Sequence, residues 1–68
     1  MKFNVVIERD EDGIYIAEIP ELPGCHTQAK DIPTLMERIR EAAELYTGEC
    51  GELPKMEFVG LQLIEINV

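Results

Sequence analysis

At 68 residues the chain has room for a single domain, and 46% hydrophobic with 29% charged residues is the composition of a folded protein, not of a disordered tail. Six basic residues against fourteen acidic ones give a formal net charge of -8, which repels phosphate backbones, argues against direct nucleic-acid binding and favours a basic partner. No apolar run approaches a membrane span, and Met1-Lys2-Phe3-Asn4 reaches Glu8 without a signal-peptide pattern; with two cysteines, Cys25 and Cys50, where a small secreted scaffold usually carries four or more, the expected setting is reducing and cytoplasmic.

Residues 2–9 are rich in β-branched and aromatic types and predict a first strand. Asp10-Glu11-Asp12-Gly13 follows, and Asp-Gly marks a hairpin turn because glycine tolerates positive φ. Residues 14–19 predict a second strand. Pro20-Glu21-Leu22-Pro23-Gly24 then ends pairing, since proline lacks a ladder donor. Cys25 to Ala29 predicts a short, edge-like third strand. Asp31 caps a helix with Pro33 in its first turn, and Ile32, Leu35, Met36, Ile39, Ala42, Ala43 and Tyr46 make one apolar stripe. Gly48 is the expected C′ residue, opening a loop to Lys55. Phe58 to Val68 predicts a last strand with apolar residues on both parities, as in a strand buried on both faces or carrying a bulge.

The order β-β-β-α-β predicts an α+β fold with a single mixed sheet, order 3-2-1-4, and one helix on one face; the last strand lies parallel to the first through a right-handed crossover. With an even hairpin loop, Phe3, Val5, Ile7, Ile14 and Ile16 share one face and Val6, Tyr15, Ala17 and Ile19 the other. The first, larger set is assigned to the helix. The second must then meet something outside the chain. With Leu22 of the corner loop added, the candidate partner or oligomer interface is Val6, Tyr15, Ala17, Ile19 and Leu22. A core this small needs added burial, so a homo-oligomer is expected, most simply a two-fold dimer.

The stretch Asp-Glu-Asp-Gly-Ile-Tyr-Ile-Ala-Glu-Ile-Pro-Glu-Leu-Pro-Gly-Cys-His-Thr-Gln-Ala at residues 10–29 resembles the HicB-type antitoxin family, and Glu37-Arg38-Ile39-Arg40-Glu41-Ala42-Ala43-Glu44-Leu45-Tyr46 is also similar to that family's helix. The resemblance covers most of residues 3–46. It implies a partial ribonuclease-H-like fold with the same element order, and neutralisation of a small basic mRNA-cleaving toxin of the HicA type. Many such antitoxins carry a C-terminal helix-turn-helix or ribbon-helix-helix DNA-binding domain. Here the chain stops at Val68, so residues 1–68 are expected to be a single HicB-like antitoxin domain with no C-terminal DNA-binding domain. Thr34 stands where an acidic residue is expected in the helix's first turn.

No catalytic, metal or cofactor site is expected. Cys25 and His26 are adjacent on a strand, so their side chains point to opposite faces and cannot form an activated thiol pair. Asp10, Glu11 and Asp12 crowd one tight turn with no second carboxylate cluster to complete a magnesium site. Tyr15 and Tyr46 have few cations around them and are assigned to packing rather than base stacking. The chain therefore reads as a binder. Two functions remain open: an antitoxin-like module that covers a basic nuclease, or a self-associating domain of housekeeping or ligand-binding role with no toxin partner.

Overall fold

The computed structural model describes residues 1–49 and 56–67. Four elements follow in chain order: β1 (Val6–Arg9), β2 (Tyr15–Glu18), β3 (His26–Ala29) and α1 (Ile32–Glu49). The strands form an antiparallel sheet of order β1-β2-β3. This is an α+β fold.

The β1–β2 hairpin sets the geometry. Arg9 pairs with Tyr15, which leaves residues 10–14 as the loop. Asp10 Oδ1 accepts the N–H groups of Asp12 and Ile14, each at 2.9 Å. The Asp10 carbonyl accepts Gly13 N–H at 3.1 Å, and Asp10 N–H donates to the Ile14 carbonyl at 2.9 Å. Gly13 sits at φ 82°, where a side chain is strained. The loop length is odd, not even, and that overturns the expected face assignment. Ile7 pairs with Ala17, so Phe3, Val5 and Ile7 share a face with Tyr15, Ala17 and Ile19. Val6 and Ile16 lie on the opposite face.

The β2–β3 corner closes by two turns, Leu22 N–H to the Ile19 carbonyl at 3.0 Å and Cys25 N–H to the Leu22 carbonyl at 2.9 Å, with Gly24 at φ 85°. This corner drives Leu22 inward. The core is Ala17, Ile19, Leu22, Cys25, Ala29, Leu35 and Ile39, with Phe3, Val5, Tyr15, Ala42, Ala43 and Tyr46 packed around it. Both tyrosines are thus packing residues.

Asp31 caps α1: its Oδ1 accepts Thr34 N–H at 2.8 Å and its carbonyl accepts Leu35 N–H at 3.1 Å. The Thr34 N–H holds the Asp31 carboxyl below its ordinary range, with the Thr34 side chain and the nearby Arg38 charge acting in the same direction. The cap is therefore complete above the ordinary aspartate pKa and is lost as pH falls through the lowered one. The helix lies over β2 and β3 and not over β1.

Two further expectations are corrected. Gly48 does not end the helix, which continues to Glu49; one glycine costs only about 1 kcal/mol in a helix interior and the preceding turns carry it. No fourth strand joins β1 among the described residues, so the order 3-2-1-4 is replaced by β1-β2-β3. Residues 56–67 run without helix, turn or strand pairing. The expected loop from residue 50 to Lys55, and Val68 of the expected strand, lie outside the described residues.

Leu35 is 0% exposed, so Leu35→Ala should lower the unfolding free energy by about 2–5 kcal/mol in urea titrations, the range for emptying a packed leucine site. Met36→Ala, at a position 37% exposed, should cost clearly less. Equal losses would contradict this assignment of the helix's buried side.

Candidate partner-binding surface

The sheet face away from α1 is built by the register. One rung places Val6 opposite Glu18, which is opposite His26; the next places Glu8 opposite Ile16, which is opposite Gln28. Val6 and Ile16 are partly buried, while Glu8, Glu18, His26 and Gln28 are exposed. Two carboxylates thus flank an apolar pair. The surface is mixed, not the apolar face that an even loop would have produced, and its acidic and apolar groups suit a partner carrying cations beside apolar side chains.

Of the five candidate interface residues, only Val6 lies on this open face. Tyr15, Ala17 and Ile19 point to the helix side, and Leu22 is drawn into the core by the corner turns. Ala17, at 0% exposure, is fully covered within the chain. The odd loop length is the physical reason for this placement. Sequence reasoning did not single out Glu8 and Glu18, because a count of charges does not say which face they occupy.

A second surface lies on the helix side, beside β1. Since α1 leaves β1 uncovered, Phe3, Val5 and Ile19 face Met36, Ile39 and Ala43 across an open groove of about 480 Å³ that also meets Arg40 and Glu44. Ile7 beside it is 42% exposed. A signal for the groove exists in Pro20. Continuing the β1–β2 register sets Asn4 opposite Pro20, which has no N–H to donate. Asn4 is held by Glu21 instead: its backbone N–H and its Nδ2 donate to Glu21 Oε2 at 2.9 and 3.0 Å. The Asn4 backbone N–H, foremost, lowers the Glu21 carboxyl below its ordinary range. Among the described residues Glu21 Oε1 is buried without a hydrogen-bond partner.

Cys25, His26 and Asp10 are engaged within the fold. Cys25 is buried, and desolvation pushes its thiol upward, away from the reactive thiolate. His26 Nδ1–H donates to the Gly24 carbonyl at 3.1 Å. The Asp10 carboxylate is engaged by its own turn. Among the described residues no group of three or more His, Cys, Asp or Glu side chains is placed to hold a metal, and no helix is long and apolar enough to cross a membrane.

Residues 3–58 match the HicB-like antitoxin of bacterial toxin–antitoxin systems. A UPF0150 protein of Archaeoglobus fulgidus is 53% identical over 98% of this chain and 97% of its own length. A UPF0150 protein of Synechocystis is 46% identical over 96% of this chain and 94% of its own, and one from Thermotoga maritima is 35% identical over 96% and 89%. No solved structure matches the chain.

The lowered Glu21 pKa predicts a pH-dependent N-terminal arm. The Asn4 tie should be complete above the ordinary glutamate pKa and lost as pH falls through the lowered value. The Asn4 amide resonance should titrate with Glu21, and Glu21→Gln should abolish that titration. An Asn4 amide that still titrates in Glu21→Gln would contradict the tie.

Proposed function

Because the chain belongs to the HicB-like antitoxin family, we propose that it acts by binding and neutralising a toxin, specifically a small basic mRNA-cleaving protein of the HicA type. The observation that carries this reading is the open sheet face, where Glu8 and Glu18 flank Val6 and Ile16 on a chain of net charge -8. An acidic face of this kind steers a cationic protein into encounter and competes with the phosphates that such a toxin must reach. The chain contributes cover, not chemistry, and acts in the cytoplasm. Its helix-backed antiparallel sheet is read as part of a ribonuclease-H-like fold without that fold's metal-dependent catalysis. The alternative reading, a self-associating domain with no toxin partner, is favoured by one observation: the exposed apolar side chains of residues 56–67.

The test is co-expression with a small basic protein encoded beside it. The chain should co-purify with that protein and relieve its growth arrest, and association should quicken as salt is lowered. Glu8→Lys combined with Glu18→Lys should slow association by roughly tenfold or more, since like charges then meet at the interface. Toxin relief and association rates unchanged by the double substitution would remove the open face from the mechanism. No capture and no relief would leave the self-associating domain.

A further inference from the structure

Residues 56–67 have the pattern of a strand and the exposure of an unfolded one. Phe58 is partly buried and the rest are exposed, with Val59 at 93% and Leu63 at 97%. A folded domain does not leave such a run in water without a use for it.

Among the described residues the sheet has a matching vacancy at the β1 edge. Asp10 N–H donates inward to Ile14, and Ile19 N–H donates to Cys25 across the other side of β2. Antiparallel ladders alternate, so the even-numbered backbone groups of β1 face β2 and those of Ile7 and Arg9 face outward. At the other edge, Arg38 Nη1 donates to the Gln28 carbonyl at 2.9 Å, so the β3 edge is partly closed by a charged side chain. Among the described residues the β1 edge has no such cover, and the apolar groove of Phe3, Val5, Met36 and Ala43 runs beside it.

We propose that residues 58–67 of one copy add as a strand to the β1 edge of a second copy, reciprocally, to give a strand-exchanged two-fold dimer. Val59, Leu61 and Leu63 share one parity and enter the groove, with Gly60 and Gln62 on the opposite side. The apolar pattern changes parity at Ile64, and a bulge there keeps Ile64 and Ile66 on the groove side. The segment carries Glu65 and no cation, and the groove it would enter meets one cation, Arg40, and one carboxylate, Glu44, so apolar burial and not charge selects the occupant. A second copy is the occupant because the segment makes no pairing among the described residues of its own chain. The proposal does not rest on the toxin reading, and its salt dependence has the opposite sign. Two chains of charge -8 repel, so this association should strengthen as salt is raised.

Sedimentation equilibrium of the full chain is the test. The mass should be twice that of one chain at micromolar concentration, and Leu61→Asp combined with Leu63→Asp should halve it. Both positions are exposed in the single chain, so the helical circular dichroism should persist. A second variant carries Ile7→Cys and Leu61→Cys with Cys50→Ser and is treated with a short thiol cross-linker. Exchange predicts cross-linked product at twice the chain mass. A monomeric wild-type mass, an unchanged mass for the Asp variant, or cross-linking confined to the single-chain mass would each overturn the proposal.

Discussion

Asp10 Oδ1 holds two N–H groups of its own turn, from Asp12 and Ile14 at 2.9 Å, and Gly13 supplies the left-handed φ that lets the chain reverse there. Those contacts fix a loop of residues 10–14 and pair Arg9 with Tyr15. Everything beyond the turn follows from that count. A shift of one residue would move Phe3, Val5 and Ile7 to the far side of the sheet from Ala17 and Ile19, and the small core would lose its flank. The same count decides which backbone groups of β1 face β2 and which face water.

Two surfaces result, with different chemistry. The face away from the helix carries Glu8 and Glu18 around Val6 and Ile16, and it suits a cationic protein. The β1 edge offers backbone groups without a partner among the described residues, beside an apolar groove, and it suits a strand. Their separation matters for the proposed antitoxin role. A chain that assembles through its edge and groove keeps its acidic face free, so self-association and toxin capture need not compete. Salt discriminates between them, because a cationic partner is drawn in by the charge that drives two like copies apart.

Much of this was legible in the residues. The alternation of residues 14–19, the Asp31 cap and the Leu35–Ile39 stripe each declare their element locally. The resemblance at the Asp-Gly turn and the Pro-Glu-Leu-Pro-Gly-Cys corner led to the family shown by the match over residues 3–58. Face assignment was not legible, because Asp-Gly announces a turn without stating its length, and each added residue inverts the parity. That is why Tyr15, Ala17 and Ile19 moved from the candidate interface to the helix side. Phe58 to Asn67 shows the limit in another form. Its strand pattern is plain in sequence, but a pattern does not name the edge it pairs with. The groove was hidden for a related reason: nothing local says that the helix covers β2 and β3 but leaves β1 bare.

Amide hydrogen exchange across β1, followed as a function of protein concentration, tests the hairpin register most directly. Val6 and Glu8 should exchange slowly at every concentration at which the chain is folded, because their N–H groups face β2. Ile7 and Arg9 should exchange fast in dilute protein and slow down as concentration rises. Slow exchange of Ile7 and Arg9 together with fast exchange of Val6 and Glu8 in dilute, folded protein would contradict the register, and with it both surfaces built on it.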